Sequence, residues 1–453
     1  LKTVAIDADK NYLSIIAFLG CLKAGVTYFF LDTKLPKKRI QSILKKTSAS
    51  LLYSKNKFNI PGIKVINIKE KIKKTKILYT SCNGDHPAYI MFTSGSTGSP
   101  KGVIITHNNA INFVNWCTEV FSLSQKDNFS QLNPLYFDNS VFDLYNNFLI
   151  GGKLTLVKDL DINNPLHLID ALKKNKCTVW FSTPSLLVYL INFNLINSKS
   201  FKSFKKIIFG GEGFPKDKLK KMINILGNKK RYYNVYGPTE CTCICSSHLI
   251  NKDDLSEKNE IFVTLGNIAE NFKYEIVDKN MNEVKKGKVG ELVLYGPNVS
   301  LGYIKDIENT KNSFIKNENF FKNYRGYKTG DLVYFNLIKK QLYFVGRKDT
   351  QIKHMGYRIE LNELEITLNK NRNIREACVF YLKKTDKTYG KIIAVIATKH
   401  SMSKTSIYSF LKNHLPSYFM PQEIIFKDRL EKNKNGKIDR AYIKNKYEKQ
   451  IKY

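Results

Sequence analysis

The feature that most constrains the fold is a regular alternation of short apolar runs with amphipathic stretches between Leu1 and about Asn336. The apolar runs are spaced along the whole region and include VAI (4–6), YFFLD (28–32), YIMFTS (89–94), KLTLV (153–157), TVWFS (178–182) and KIIFG (206–210). Strands that alternate with helical segments are typical of parallel sheets with crossover helices. The pattern therefore predicts an α/β core.

After about residue 260 the pattern changes to strands with little helix between them, in KYEIVD, GELVLYG, DLVYFN and QLYFVGR. This region predicts a β-rich subdomain that closes the large unit. Two further apolar strands and an amphipathic helix around Ser406 to His414 follow, which predicts a compact α+β piece. We place the main boundary at Asp349 or Thr350. The sequence thus predicts a large core, 1–348, and a small mobile C-terminal domain, 349–453.

Composition limits the classes of function. A chain of 453 residues that is 43% hydrophobic can form two or three folded units. The 74 Lys and Arg residues against 39 Asp and Glu residues give a formal net charge of +35, which is typical of proteins that bind nucleic acid or an anionic membrane surface. The basic residues are scattered, however, and no aromatic stacking motif accompanies them. A solvated lysine-rich surface is the favoured interpretation, with nucleic-acid binding as the alternative.

The eight cysteines form no CxxC pair and no metal-binding spacing. They predict free thiols in a reducing compartment, and Cys241, Cys243 and Cys245 alternate as in a strand. No apolar run is long enough to span a bilayer, and no secretion signal opens the chain at Leu1. We therefore expect a cytoplasmic protein.

The strongest local signal is YIMFTSGSTGSPKGV at 89–103, in which an apolar strand enters a loop of Gly, Ser and Thr residues that ends in Lys101. Glycines permit close approach of the backbone, and successive N–H groups with a lysine suit the oxygens of a polyphosphate. The spacing differs from that of a Walker loop. A flexible linker is the alternative, which the apolar strands on both sides disfavour.

This loop resembles the phosphate loop of the acyl-adenylate-forming superfamily. Other motifs are similar to its amino-acid-activating branch, the adenylation domains of nonribosomal peptide synthetases and the related D-alanine–carrier-protein ligases. They follow in order as LKAGVTYFFLD (22–32), FDNSVFDLY (137–145), NVYGPTE (234–240), GELVLYGPNVSLGY (290–303), YKTGDL (327–332), GRKDTQIKHMGYRIELNELE (346–365), LPSYFMPQ (415–422) and NKNGKIDR (433–440). Eight ordered motifs cover the chain almost end to end.

The resemblance implies roles in nucleotide binding. Asp331 would bind the ribose hydroxyls, Tyr236 would stack on adenine, and Arg347 would contact phosphate or ribose, with a surface ion pair as the alternative. Glu240 would bind Mg²⁺, for which a carboxylate oxygen is a suitable ligand, and Thr239 would donate to the α-phosphate or the acyl oxygen. The full set for ATP or AMP is Thr93, Ser94, Gly95, Ser96, Thr97, Gly98, Lys101, Gly211, Glu212, Asn234, Tyr236, Gly237, Asp331 and Arg347.

Asp138 decides the class of substrate. It is an acid between Phe137 and Asn139 in a stretch otherwise suited to burial, and a buried carboxylate is costly unless it is paired. The resemblance implies that it pairs with the α-ammonium group of an amino acid, which fatty and aryl acids lack. A solvent-facing helix N-cap is the alternative.

The C-terminal motifs imply a mobile catalytic domain. Lys437 would enter the site and contact the substrate carboxylate and the α-phosphate, an electrostatic role that needs no proton transfer. Asp349 would be the hinge between an adenylating and a thioester-forming pose. Gly356 would leave room for the phosphopantetheine arm of a carrier protein.

The side-chain pocket follows from the family's specificity positions, which are apolar here except for an Asp, an Asn and a Lys. They are Asp138, Asn139, Phe142, Phe181, Ile208, Gly210, Val235, Cys243 and Ile244, with Lys437 at the mouth. Two phenylalanines reduce the volume, and nothing neutralises a charged side chain, so a small or medium aliphatic amino acid is expected. Val, Ile and Leu are favoured over Ala or D-Ala, and both groups stay open.

The resulting hypothesis is an ATP- and Mg²⁺-dependent ligase that forms an aminoacyl-AMP and loads the phosphopantetheine thiol of a carrier protein. No carrier signature lies in the chain, so we expect the acceptor on another polypeptide or an adjoining domain, and a domain excerpt or fragment is expected because relatives begin further upstream. An acyl- or aryl-CoA ligase of the same superfamily is the first alternative. A basic nucleic-acid-binding protein on an adenylating scaffold is the second.

Overall fold

A computed structural model describes residues 3–67, 82–95, 98–256, 262–316, 324–382, 390–433 and 437–450. The chain divides into two compact units. Unit 1 comprises Leu1–Thr33, Leu44–Phe92 and Gly102–Lys348, and unit 2 comprises Lys34–Ile43, Thr93–Lys101 and Asp349–Tyr453. The two-domain division at 348/349 stays a prediction, because unit 2 also takes two segments from the N-terminal region.

The first sheet has six strands in the order β4-β3-β1-β2-β5-β6. The contacts that join β1 to β2 and β3, β3 to β4, and β2 to β5 are parallel, as expected for strands that alternate with helices. Its elements are β1 (Thr3–Asp7), α1 (Tyr12–Lys23), β2 (Thr27–Leu31), α2 (Lys37–Thr47), β3 (Leu51–Ser54), β4 (Lys64–Asn67), β5 (Pro87–Thr93) and β6 (Lys101–Thr106).

The second sheet lies in unit 1 and has seven strands in the order β13-β12-β11-β10-β9-β7-β8. The neighbouring strands β8, β7, β9, β10 and β11 pair in parallel, whereas β12 and β13 pair antiparallel at the other edge. The strands are β7 (Asn128–Gln131), β8 (Lys153–Leu156), β9 (Val179–Ser182), β10 (Lys206–Gly210), β11 (Arg231–Tyr236), β12 (Ser246–Leu249) and β13 (Asn267–Ile268). The helices are α3 (His107–Val120), α4 (Asn139–Ile150), α5 (Asp159–Asn163), α6 (Pro165–Asn175), α7 (Pro184–Asn192), α8 (Lys216–Leu226) and α9 (Lys252–Ser256).

The β-rich end of unit 1 is a third, antiparallel sheet. It contains β14 (Lys273–Val277), β15 (Gly290–Tyr295), β16 (Phe314–Lys316), β17 (Arg325–Asn336) and β18 (Gln341–Arg347), with α10 (Ile307–Ser313). One buried apolar cluster draws its residues from all three sheets. The predicted change from an α/β to a β-rich pattern is therefore present in the fold.

The C-terminal part of unit 2 packs helices on a three-stranded sheet in the order β21-β22-β23, beside the hairpin of β19 and β20. Its core is apolar and includes Leu364, Ile396 and Phe419. The elements are β19 (Gln351–His354), β20 (Tyr357–Glu360), α11 (Leu361–Asn369), β21 (Ile374–Leu382), β22 (Lys391–Thr398), α12 (Lys404–Lys412), β23 (Glu423–Lys427) and α13 (Arg440–Gln450).

Two sequence expectations concern local features. The eight cysteines are free thiols, as predicted. The expectation of a strand through Cys241, Cys243 and Cys245 is wrong, because a 3₁₀ turn covers Thr239–Cys241 and β12 begins only at Ser246. Cys243 has φ of +73°, a left-handed conformation that no strand contains. None of the helices in the described part of the chain has the length and apolar character needed to cross a bilayer.

Candidate active site

Asp138 lies at the start of α4, but its side chain does not cap the helix. Its Oδ2 instead accepts a hydrogen bond of 2.6 Å from Oγ1 of Thr239, in the 3₁₀ turn that follows β11. The side chain is thus directed toward the end of a central strand rather than along its own helix. This position is consistent with a ligand-binding carboxylate, since ligands of open α/β sheets bind outside the carboxyl ends of the strands.

The apolar residues predicted to line the pocket lie together in unit 1. Phe142 on α4 and Phe181 on β9 are buried, and their ring centroids are 4.9 Å apart in an edge-to-face arrangement. Six of the predicted lining residues belong to one buried cluster, namely Phe142, Phe181, Ile208, Val235, Cys243 and Ile244. Asn139 is half-buried at the first turn of α4.

Gly210 ends β10 beside Val235 of β11. A Cβ atom built on Gly210 would lie 2.3 Å from the carbonyl oxygen of Val235, so any larger residue would push the two strands apart. Glycine is required here for close packing of the two strand ends.

The charge of Asp138 contributes to the raised pKa of two buried side chains. Burial raises the pKa of the Cys243 thiol well above its usual value, and the negative charge of Asp138 raises it further. The pKa of Tyr89 on β5 is also raised well above its usual value, first by burial and to a smaller extent by the charges of Tyr145, Cys243 and Asp138. Tyr89 was missed by the sequence analysis, because a tyrosine in an apolar strand carries no signal beyond that of a core residue.

Two polar side chains hydrogen-bond to the backbone near the predicted lining residues. Asn133, just after β7, donates from Nδ2 to the carbonyl oxygen of Phe181 at 3.0 Å. Lys10 is buried and donates from Nζ to the carbonyl oxygen of Leu132 at 2.6 Å. Burial raises the pKa of Asp143, one helical turn beyond the start of α4, well above its usual value, although Asn133 and Lys10 oppose this shift. The hydrogen bond from Asn133 fixes the backbone that carries the Phe181 ring.

Glu240 is completely buried, and its Oε1 accepts a hydrogen bond of 2.8 Å from the hydroxyl of Tyr303. Its backbone carbonyl oxygen accepts the N–H of Ser300 at 2.9 Å. Tyr303 was missed by the sequence analysis, although it lies at the end of the motif GELVLYGPNVSLGY. The hydroxyl of Tyr303 orients the carboxylate predicted to bind Mg²⁺.

Asp331 is buried on β17 and accepts hydrogen bonds from two predicted nucleotide residues. The hydroxyl of Tyr236 donates to Oδ2 at 2.5 Å, and Nη1 of Arg347 donates to Oδ1 at 2.8 Å. Burial raises the pKa of Tyr236 well above its usual value, and the charge of Asp331 adds to the shift. The structure thus brings together three residues predicted to contact the nucleoside, and it places Arg347 in a largely buried ion pair rather than a surface one.

The remaining predicted nucleotide residues of unit 1 are held by local contacts. Glu212 accepts the N–H of Ser185, at the start of α7, at 2.8 Å. Asn234 donates from Nδ2 to the carbonyl oxygen of Thr264 at 2.7 Å. Gly211 has φ of +90°, and Gly237 follows β11 directly.

The predicted phosphate loop belongs to unit 2. Thr93 ends β5, Lys101 begins β6, and Gly98 has φ of +77°. The hydroxyl oxygen of Thr93 is buried and has no hydrogen-bond partner among the residues that the structure describes. Ser96 and Thr97 lie outside the described residues.

Within unit 2 a carboxylate of the same chain binds to the backbone of this loop. The N–H of Gly95 donates to Oε2 of Glu363 at 3.3 Å, and Glu363, on α11, forms a buried ion pair with Arg39 on α2. The hydroxyl of Ser94 donates to the carbonyl oxygen of Arg358 at 2.8 Å. A loop whose N–H groups suit phosphate therefore binds a carboxylate of the same chain. Neither Arg39 nor Glu363 was predicted, because their pairing depends on residues more than three hundred positions apart in the sequence.

The C-terminal candidates also lie in unit 2. Lys437 is exposed, and its backbone N–H donates to Oδ1 of Asn433 at 3.1 Å. Asp349 is exposed and accepts the N–H of Gln351 at 3.1 Å. Gly356 has φ of +83° in the turn between β19 and β20, a conformation that favours glycine.

The described residues offer few protein ligands for a metal ion. Across the described ranges, no group of three or more His, Cys, Asp or Glu side chains could hold a metal ion. Mg²⁺ commonly binds through one or two carboxylates together with substrate phosphates. A single oriented carboxylate, Glu240, fits that requirement.

Comparison with known proteins identifies the family. The model of the AMP-binding enzyme family matches residues 2–304, and that of the AMP-binding enzyme C-terminal domain matches residues 363–437. The chain belongs to the AMP-binding enzyme family. The predictions of this family and of an α/β fold are confirmed.

Curated relatives of this AMP-binding enzyme include ligases. It is 32% identical over 466 residues to the D-alanine–D-alanyl carrier protein ligase of Listeria monocytogenes, a match that covers 99% of this chain and 89% of the relative. It is also 33% identical over 444 residues to bacitracin synthase 1 of Bacillus licheniformis, with 97% of this chain and 8% of that longer protein covered. The prediction of a ligase is confirmed, and the predicted amino acid activation agrees with these names.

Solved structures share the fold. An NRPS protein containing adenylation and PCP domains, bound to a vinylsulfonamide inhibitor, matches with a TM-score of 0.85 at 22% identity, over 98% of this chain and 75% of that chain. The Vibrio cholerae adenylation domain AlmE, in complex with glycyl-adenosine-5′-phosphate, matches with a TM-score of 0.83 at 22% identity, over 100% of this chain and 89% of that chain. At this identity the likeness concerns the fold.

Proposed function

We propose that this enzyme uses ATP to activate D-alanine, or a similarly small apolar amino acid, as aminoacyl-AMP with release of pyrophosphate. The aminoacyl group is then transferred to the phosphopantetheine thiol of a carrier protein. The names of the ligases that match nearly the whole chain support this substrate and this acceptor.

The observation that carries the proposal is the position of Asp138. Its carboxylate accepts from Thr239 at the end of a central strand and acts electrostatically on the Cys243 thiol of the predicted pocket. A carboxylate in that position pairs with the α-ammonium group of an amino acid. A fatty or aryl acid would leave it without that cation, which is costly for a partly buried charge.

The lining supports a small side chain. The rings of Phe142 and Phe181 pack edge to face among the predicted lining residues, and two such rings leave less room for a long substrate side chain. Because the nine predicted lining positions hold no cation and no acid other than Asp138, a charged side chain would lose its hydration without compensation. Within the aliphatic group that the sequence left open, we propose alanine in its D form rather than Val, Ile or Leu.

We also propose roles for the residues predicted to bind the nucleotide. We assign the ribose to Asp331, which Tyr236 and Arg347 hold in place, and the phosphates to the loop at 93–101. Glu240, oriented by Tyr303, would hold Mg²⁺, which neutralises phosphate charge when bound. Lys437 would stabilise negative charge as the substrate carboxylate attacks the α-phosphorus. Asp349 remains the proposed hinge, and Gly356 remains the proposed contact of the pantetheine arm.

Exchange of pyrophosphate into ATP tests the activation step. The panel contains D-alanine, L-alanine, glycine, L-valine, L-leucine and octanoate. We expect the fastest exchange with D-alanine and none with octanoate. Exchange with octanoate alone would instead identify an acyl-CoA ligase and would reject the amino acid substrate.

A loading assay tests the second step. The enzyme is mixed with ATP, radiolabelled D-alanine and a D-alanyl carrier protein, either with or without its phosphopantetheine group. Label should be bound only to the form that carries the thiol. Label transferred equally to coenzyme A and to the carrier would contradict specificity for a carrier protein.

A further inference from the structure

Two neighbouring turns of the β-rich sheet in unit 1 have an unusual composition. Residues 285–289 precede β15, and residues 337–340 join β17 to β18. Their nine positions hold five lysines, three aliphatic residues and one glycine, and no acid. We call this surface the lysine tip. It consists of Lys285, Lys286, Gly287, Lys288, Val289, Leu337, Ile338, Lys339 and Lys340.

The two turns are in contact. A Cβ atom built on Gly287 would lie 3.7 Å from Cδ1 of Leu337. The pairing of Gly290 with Val333 also places the start of β15 beside β17. The nine residues therefore form one continuous surface.

Local hydrogen bonds fix both turns. Oδ1 of Asn336 accepts the N–H groups of Ile338 and Lys339, each at 3.0 Å. The N–H of Lys288 donates to the carbonyl oxygen of Lys285 at 3.0 Å. The aliphatic side chains are thus held outward by ordered turns.

The apolar side chains of the lysine tip are exposed to an unusual degree. Ile338 is 90% exposed, Leu337 is 58% exposed and Val289 is 49% exposed. Exposed apolar groups surrounded by polar residues commonly mark an interaction site.

The lysines supply the charge. All five are exposed, and none has an ion pair within the described part of the chain. The acids of the same connection, Asp278 and Glu283, precede the tip, and Asp278 accepts the N–H groups of Asn280 and Asn282. The surface therefore offers positive charge to an anionic partner.

We propose that the lysine tip binds the surface of an anionic lipid bilayer, with Ile338, Leu337 and Val289 entering the interface and the lysines contacting headgroup phosphates. Basic residues combined with exposed aliphatic side chains are typical of peripheral membrane binding. The lysine tip contains no aromatic or arginine side chain for stacking on bases, which disfavours single-stranded nucleic acid. Protein interfaces are depleted of lysine at their centres, which disfavours an acidic protein.

Sedimentation of the full chain with lipid vesicles tests the proposal. The vesicles contain phosphatidylcholine, with or without phosphatidylglycerol. We expect binding only when the anionic lipid is present, with weaker binding at high salt. The double variant Lys339→Gln/Lys340→Gln should weaken binding about fivefold for each lysine removed, and Ile338→Ser should weaken it about tenfold.

Matched variants elsewhere in unit 1 serve as controls. Lys220→Gln/Lys221→Gln removes the same charge from exposed positions of α8, and Leu160→Ser removes an aliphatic side chain that is 80% exposed. Both should bind vesicles as the unchanged protein does. All variants should retain amino-acid-dependent pyrophosphate exchange, which shows that they fold.

Three results would overturn the proposal. The first is equal binding to vesicles without anionic lipid, and the second is an equal loss in the α8 control. The third is a pair of tip variants that bind vesicles normally but lose binding to polyuridylate or to polyglutamate, which would assign the surface to nucleic acid or to an acidic protein.

Discussion

The groups predicted to bind ligands have different internal hydrogen-bond partners in the two units. In unit 1, three carboxylates accept hydrogen bonds from hydroxyl groups, Asp138 from Thr239, Glu240 from Tyr303 and Asp331 from Tyr236. In unit 2, the N–H of Gly95 in the phosphate loop donates to the carboxylate of Glu363.

The difference concerns what a ligand must do on binding. A hydroxyl donor leaves a carboxylate charged and oriented, so an ammonium group or a ribose can add to an arrangement that already exists. An anion bound to the phosphate loop must instead be displaced by phosphate. Unit 1 thus presents organised acceptors, whereas unit 2 holds its donor in an internal contact.

The largest expected effect tests the organised acceptors. Asp138→Asn removes the charge but keeps the shape, so the α-ammonium group of the substrate loses its ionic partner. Amino-acid-dependent exchange should fall by about two to three orders of magnitude. The measurement is the exchange rate with D-alanine, beside the dissociation constant of ATP.

The ATP measurement separates a binding defect from unfolding. The variant should bind ATP with unchanged affinity, because the proposed ribose contact, Asp331, is held by Tyr236 and Arg347. Full exchange activity in the variant would show that Asp138 does not bind the substrate. Only Glu240 and Asp331 would then remain as organised acceptors of unit 1.

The second effect concerns the exposed cation of unit 2. Lys437→Ala should lower the exchange rate about a hundredfold, since one preorganised charge on the transition state is lost. Lys444→Ala removes a lysine that is also exposed, on α13 of the same unit, and should have no effect. An equal loss in both variants would show a general effect of charge rather than a specific role of Lys437.

The sequence predicted the elements of the fold well, because alternation and turn residues are local signals. The apolar runs that lie in β1, β2, β5, β9 and β10 are strands. The prediction failed at Cys243, where Cys–X–Cys alternation suggested a strand but the backbone is left-handed. A period of two is a weak signal in three residues when the neighbouring motif imposes a turn.

The candidate site was predictable only where a motif carries it. Asp138, Glu240 and Asp331 lie in recognisable motifs. The sequence did not predict which hydroxyl groups donate hydrogen bonds to them. Tyr303 lies 63 positions from Glu240, and such pairs depend on tertiary packing. The roles of all these residues stay predictions until the variants are measured.

A smaller effect tests the hydroxyl donors of unit 1. Tyr303→Phe removes the hydrogen bond to Glu240 and keeps the ring. Because the partners of a metal ligand tune its affinity, the apparent affinity for Mg²⁺ in the presence of a nonhydrolysable ATP analogue should fall about tenfold. Titration with Mn²⁺, followed by electron paramagnetic resonance, measures binding directly.

Tyr324→Phe is the matched control, because Tyr324 is an exposed tyrosine of the same unit. It should bind Mn²⁺ normally. If Tyr303→Phe also binds normally but unfolds at a lower temperature, Tyr303 stabilises the fold and does not orient a metal ligand.

The smallest effect tests the internal anion of unit 2. Glu363→Gln removes the negative charge that the N–H of Gly95 and the guanidinium of Arg39 contact. Phosphate then competes with a neutral amide instead of a carboxylate, so ATP should bind about fivefold more tightly. Glu365→Gln provides the control, because Glu365 lies on the same helix but accepts from Val379 and Arg440. Isothermal titration of both variants with ATP measures the difference. Equal affinities would mean that Glu363 does not compete with phosphate, and the contrast between the two units would then be confined to unit 1.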